Sequence, residues 1–184
     1  MKINRALCMF CLFGSLTLNA WPERQNSDFS IHNFKAGYAC AEALVERPFL
    51  MSPEQICFQS KVINVTGQGQ CIYGGEWKSC TWHGFEFSYD ELAQTLELSC
   101  QETTSVPVYY GNPDSVSDES VSVTTFTLTL EAGTRRFFNA QYALLSRATA
   151  YRQEISSTTR CFHDGDMVLE FDQKIVHPEL YAVD

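Results

Sequence analysis

From Ile56 onward, apolar and polar residues alternate in short runs along most of the chain. Leu96, Leu98 and Cys100 give the clearest case, since polar residues separate each of them from the next. A period of two places the apolar side chains on one face of a β-strand. Residues 85–89, 126–130 and 167–172 alternate in the same way. The β-branched residues of 56–65 and the hairpin pattern of 71–73 with 76–82 predict further strands, which makes seven or more in all.

Two dipeptides mark tight turns between these strands. Gly74-Gly75 separates residues 71–73 from residues 76–82, and Asp164-Gly165 stands before the alternating residues 167–172. Both dipeptides suit the left-handed backbone of two-residue hairpin turns. Strands at hairpin spacing predict an antiparallel β-sandwich or a barrel-like domain.

Residues 136–153 fit two patterns. Phe138, Tyr142 and Leu145 share a helical stripe, whereas Phe138, Ala140, Tyr142 and Leu144 share a strand face. We favour the strand because strands precede and follow this segment, and hairpin connections between sequential strands are common.

One or two short helices are predicted in the N-terminal half. Residues 37–47 carry a compact apolar stripe that ends at Pro48. Ser52-Pro53-Glu54-Gln55 has the residues of a helix start, and Ser88 with Glu91 forms a capping box for a turn through Gln94.

The first twenty residues are typical of a secretory signal. Lys2 and Arg5 precede an apolar stretch of about thirteen residues, which is too short to cross a bilayer as a helix. We expect cleavage after Ala20 and no membrane span in the mature chain. The predicted organisation is a cleaved signal (1–20), a loose segment (21–35), a single β-rich domain (36–176) and a C-terminal tail (177–184).

The composition is that of an acidic globular protein. Hydrophobic residues make up 45%, and 13 Lys and Arg face 22 Asp and Glu, for a net charge of −9. Removal of the signal would take away Lys2 and Arg5 and make the charge −11. This balance argues against nucleic acid and anionic lipid surfaces as partners, because both need clustered basic side chains.

Cysteine usage predicts an oxidising compartment, either periplasmic or extracellular. Cys8 and Cys11 lie in the predicted signal, and an even number of cysteines remains. An even set in an exported chain favours a disulfide framework, although six cysteines allow 15 pairings. The spacing does not suit a structural zinc site. The expected bridge residues are Cys40, Cys57, Cys71, Cys80, Cys100 and Cys161.

Two groups of residues are candidates for a site. His163, Asp164 and Asp166 form a polar cluster at a predicted hairpin turn, which could bind a divalent cation or be an exposed turn. His83 is a candidate base, or a packed histidine beside Trp82. The second group is an aromatic surface of the kind that stacks on sugars or peptides. Its members are Trp82, Tyr109 and Tyr110.

The sequence contains no standard motif for a catalytic nucleophile, a phosphate loop or a metalloprotease, and we predict no cofactor. The leading hypothesis is an exported, non-enzymatic protein that binds a protein or a glycan. One alternative is a small exported hydrolase that uses His163 or His83 with a carboxylate. The other is an inhibitor of an extracellular enzyme, in which the acidic loop 111–120 enters a basic active site.

Overall fold

The structure is a computed structural model, and it describes residues 29–40, 53–110, 119–145 and 153–179. The predicted signal, the loop at 111–118, residues 146–152 and the end of the tail lie outside the described residues. The described chain forms ten β-strands and no α-helix. In order they are β1 (Ile31–Cys40), β2 (Gln55–Gln59), β3 (Val62–Asn64), β4 (Gly69–Tyr73), β5 (Glu76–Tyr89), β6 (Leu96–Val108), β7 (Val121–Leu130), β8 (Arg136–Leu144), β9 (Gln153–His163) and β10 (Asp166–His177).

The strands form two five-stranded sheets. In the first sheet β2 pairs with β1, and the long strand β5 pairs with β1, β4 and β8. Cys80 in β5 is opposite both Gly69 in β4 and Leu144 in β8, so β4 and β8 lie on opposite edges of β5. The second sheet has the order β3-β10-β9-β6-β7. Its pairs are antiparallel except for β3 with β10, which is parallel.

The two sheets pack face to face as a β-sandwich. Phe85 in the first sheet lies 4.9 Å from Phe171 in the second, measured between ring centroids. Phe87, Leu98 and Leu130 are buried in the same apolar core. The mainly β prediction is therefore confirmed, and of its two forms the sheets adopt the sandwich.

The predicted helices are wrong wherever the structure describes them. Residues 37–40 belong to β1, which pairs with β2, and the register shift between Tyr38 and Ala39 leaves Cys57 of β2 as the extra residue. All four residues of 37–40 are buried or partly buried, so the alternation of polar and apolar residues that identifies a half-buried strand is missing here. Gln55 begins β2 instead of a helix. Ser88 pairs with Arg136 in the sheet, and no helix follows it.

Both predicted hairpin turns are present. Gly74 and Gly75 have φ values of 59° and 75°, and Asp164 and Gly165 have values of 50° and 86°. Two successive positive φ values are the mark of a type I′ turn. Residues 136–144 form β8 as a strand, and 146–152 are outside the described part of the chain.

Two disulfides join neighbouring strands. Cys100 in β6 lies directly opposite Cys161 in β9 and is bridged to it inside the core. Cys40 at the end of β1 is bridged to Cys57 in β2, with 6.0 Å between the Cα atoms. Among the described residues, no helix is long and apolar enough to cross a membrane.

Candidate functional site

The interior of the sandwich changes from apolar to polar along its strands. In β6, the inward positions run from Leu98 and Cys100 to Glu102 and Thr104, all of them buried. Strand alternation places all four of these side chains in the interior, because every second residue from Leu98 points to the same face. We call this second part of the interior the polar end. Its buried side chains are His83, Glu102, Thr104, Ser157, Thr159, Gln173 and His177.

Strand register joins these side chains into one row. Gln173 in β10 is opposite Ser157 in β9, and Ser157 is opposite Thr104 in β6. His83 reaches this row from the other sheet, since its Nδ1 lies 3.1 Å from Oε1 of Gln173. That oxygen can only accept, so Nδ1 donates the proton. The polar end therefore links both sheets through hydrogen bonds instead of apolar packing.

His83 is held in its neutral form. Its pKa is lowered to about 4, because burial and, to a smaller extent, the nearby His177 outweigh the hydrogen bond to Gln173, which raises it. A neutral imidazole that donates to a side-chain amide is the arrangement of a histidine with a structural role. A general base would need a free nitrogen within reach of a substrate proton, whereas the His83 side chain is buried.

The carboxyl group of Glu102 lies in the same interior. Burial raises its pKa, and the nearby hydroxyl groups of Tyr110 and Ser157 counteract part of that rise. The pKa of the Tyr110 hydroxyl is in turn raised by burial and by the charge of Glu102. Each of the shifts at His83, Glu102 and Tyr110 therefore acts toward the neutral form of the group. Within the described ranges, no set of three or more His, Cys, Asp or Glu residues could hold a metal ion.

A charged cluster lies on the outer face of the first sheet. The Glu86 carboxylate accepts hydrogen bonds from Arg136, from Lys35 Nζ at 3.1 Å and from the Ile56 amide at 3.3 Å. Burial raises the pKa of Glu86, but these three donors outweigh it, and the net shift is downward. The cluster lines a shallow depression of about 400 Å³.

The hairpin of β4 and β5 exposes an apolar pair at its tip. Ile72 and Trp77 are directly opposite across the two strands, and they are 39% and 55% exposed. The ion pair of Glu76 and Lys78 lies on the opposite face of the hairpin, because both residues are one position away from Trp77 in the alternating strand. We call Ile72 and Trp77 the tip pair. Exposed aromatic side chains of this kind are enriched at protein-binding surfaces.

The predicted polar cluster comes together at the turn between β9 and β10. Asp166 is opposite His163 in the hairpin, and His163 Nε2 lies 3.6 Å from a carboxylate oxygen of Asp164. The His163 ring also packs edge-on against Phe29, with 6.4 Å between centroids. One side of this histidine therefore belongs to the apolar core.

The three residues of the predicted aromatic surface differ in their surroundings. Trp82 packs edge-on against Tyr142 and donates its indole N–H to the carbonyl of Gln70 at 3.1 Å. The hydroxyl of Tyr110 is buried, whereas Tyr109 is 48% exposed.

Sequence analysis missed the tip pair and Glu102. The tip pair had a usable signal, because Ile72 and Trp77 are equally distant from the Gly74-Gly75 turn and must therefore face each other. Glu102 could have been found by extending the alternation from Leu98 and Cys100 by one more step.

Comparisons with known proteins assign no family. No protein-family model matches the chain, and no curated protein matches it. Among solved structures, an immunoglobulin-like protein from Pseudomonas aeruginosa is similar, with 12% identity and a TM-score of 0.49 over 82% of this chain and 98% of that one. Similarity at this level supports no inference, and the β-sandwich described above rests on strand pairing and core contacts.

Proposed function

We propose that this chain is an exported, non-enzymatic binding domain that holds a protein partner through the tip pair. The observation that carries the proposal is the cross-strand pairing of two exposed apolar residues, Ile72 and Trp77, near the end of a hairpin. Tryptophan is enriched among the residues that dominate binding energy at interfaces. A protein surface is favoured over a glycan as partner, because an aliphatic side chain shares the patch with the indole.

Export is supported by two observations. The first twenty residues have the pattern of a secretory signal. The described chain also carries two disulfides, Cys40–Cys57 and Cys100–Cys161, and such bridges persist in oxidising compartments. An acidic net charge agrees with a secreted domain that stays apart from nucleic acids and anionic membranes.

The hydrolase alternative has weaker support. His83 is buried, neutral and bonded to an amide. His163 lies 3.6 Å from a carboxylate oxygen of Asp164, but that carboxylate is exposed at a hairpin turn and the histidine ring packs against Phe29. His32 and Asp90 form another such pair, at 3.0 Å, and both side chains are about half exposed on the surface. The inhibitor alternative depends on residues 111–118, which lie outside the described part of the chain.

Site-specific photocrosslinking tests the proposal. A benzophenone amino acid replaces Trp77 in one variant and Met167 in a control variant, and both are expressed in the native host. Met167 is a matched control, because it is 53% exposed and lies on the other long hairpin. We expect a single protein to crosslink at position 77 and not at position 167.

The crosslinked protein is then purified, and its affinity for each variant is measured by calorimetry. Trp77→Ser should weaken binding about thirtyfold, the loss expected of a residue worth about 2 kcal/mol at an interface. Met167→Ser should leave the affinity within about twofold. Equal crosslinking at the two positions, equal affinities of the two serine variants, or a glycan ligand for Trp77 would each contradict the proposal.

A further inference from the structure

Cys71 and Cys80 stand side by side on the β4–β5 hairpin without a bridge between them. Cys71 is opposite Lys78, and Gly69 is opposite Cys80, so the two cysteines occupy diagonal positions on one face of the hairpin. Their thiols are within hydrogen-bonding contact. The two side chains are 1% and 0% exposed.

A small apolar cluster on the outer face of the first sheet encloses this pair. Strand alternation puts Cys80 on the face opposite His83, and the register of β5 is unbroken between them. The cluster is separate from the core between the sheets. Its other members are Tyr73, Trp82, Tyr142 and Leu144.

We propose that Cys71 and Cys80 form a third disulfide, which closes the base of the β4–β5 hairpin. In that step each thiol loses a proton, and the pair loses two electrons. The electrons reduce the disulfide of a protein or small-molecule oxidant to two thiols, by exchange through a mixed disulfide. The other four cysteines of the mature chain are already paired in the structure, which leaves these two for each other.

The geometry permits the bridge after a small movement. Diagonal neighbours in an antiparallel pair have Cα atoms about 7–8 Å apart, and a disulfide needs about 6.8 Å or less. The strands must therefore approach by roughly an ångström. Strand β4 can make this movement, because within the described residues β5 is its only partner in the sheet.

The two thiols differ in acidity. The hydrogen bond from Cys80 lowers the pKa of Cys71, although burial acts against it. The same contact, burial and the charge of Cys71 all raise the pKa of Cys80. Because both side chains are buried in the folded hairpin, the exchange with an oxidant takes place before the hairpin has closed over them.

Peptide mapping under non-reducing conditions tests the inference. The mature chain is refolded in a buffer of reduced and oxidised glutathione until Cys40–Cys57 and Cys100–Cys161 are fully bridged. It is then unfolded in guanidinium with an alkylating reagent and no reductant, so that burial cannot protect a thiol. We expect a Cys71–Cys80 crosslinked peptide and no alkylated cysteine.

A stability measurement gives the second readout. A bridge across nine positions should shift the unfolding equilibrium about a hundredfold toward the folded state. We expect this shift between the oxidised wild type and the Cys71→Ser/Cys80→Ser variant, which keeps the other two bridges.

Alkylation of both Cys71 and Cys80 in the wild type, or a bridge from either to another cysteine, would overturn the inference. The outcome does not depend on the tip pair or its partner, so the proposed function could fail while the third bridge is found.

Discussion

Lowering the pH from 7 to 5 tests whether His83 is buried as a neutral side chain. In the folded protein its pKa is about 4, against about 6.5 in the unfolded chain. Between these values the unfolded chain binds a proton that the folded chain does not bind. Stability must therefore fall as the pH falls through this window, and it is fully retained above about pH 6.5.

The expected loss follows from the two pKa values. Each unit of pKa difference corresponds to about 1.4 kcal/mol, and by pH 5 most of the window below 6.5 has been crossed. His83 alone should therefore remove about 2 kcal/mol from the free energy of unfolding between pH 7 and pH 5. Glu102 acts in the opposite direction, because burial raises its pKa and the folded state gains its proton first. The informative quantity is therefore the difference between the wild type and a His83 variant in the free energy of unfolding that each loses on acidification.

Urea unfolding of the wild type, His83→Gln and His32→Gln at both pH values measures that difference. Gln at position 83 cannot titrate and can still donate to Gln173, so this variant should lose about 2 kcal/mol less than the wild type on acidification. His32 is a matched control, because it is a half-exposed histidine on the surface. His32→Gln should follow the wild type. If His83→Gln and the wild type lose the same free energy within about 0.5 kcal/mol, His83 is not buried in neutral form.

Two further replacements test the outer charged cluster and the core bridge. Glu86→Gln should lower the free energy of unfolding by about 1–2 kcal/mol at pH 7, because it removes the charge that attracts Lys35 and Arg136. The loss is modest because both of these donors are about half exposed and are screened by solvent. The effect should be complete above the ordinary carboxyl pKa of about 4.5 and should shrink as the pH falls below it, until the folded protein is protonated as well. Urea unfolding at pH 7 and pH 3.5 measures the change, and an effect that is undiminished at pH 3.5 would contradict it. Replacing Cys100 and Cys161 by Ala should cost about 4 kcal/mol in the same assay, as loop entropy predicts for a separation of 61 residues, and a cost below about 1 kcal/mol would refute that account.

Local sequence rules predicted the parts of the fold that depend on neighbouring residues. Leu96, Leu98 and Cys100 alternate without interruption, and they belong to β6 as expected. Positive φ values at Gly74 and Gly75 follow directly from the absence of a Cβ atom. In these segments the backbone geometry is decided within a few residues, and the sequence contains the whole signal.

The rest of the fold depends on contacts between distant residues. The helix predicted from residue 37 is a strand, because pairing with β2 and β5 determines its conformation. The parallel pairing of β3 with β10 joins Ile63 to Ile175, and no local pattern specifies it. The same limit applies to the candidate site. Trp77 and Trp82 lie on one strand, yet Trp77 is exposed and Trp82 is partly covered by Tyr142.

The distribution of polar and apolar contacts along β5 connects stability with the proposed binding surface. At its C-terminal part, Phe85, Phe87 and Tyr89 belong to the apolar core, which also contains the Cys100–Cys161 bridge. Toward its N-terminus, hydrogen bonds at His83 replace apolar packing, and such bonds add little net stability. Local opening should therefore be easiest near the hairpin that carries the tip pair. A bridge between Cys71 and Cys80 would hold the hairpin where the interior packing contributes least, and it would keep Trp77 in a fixed position before a partner binds. Ordering a surface in advance reduces the entropy lost on binding, so the same bridge would favour both folding and recognition.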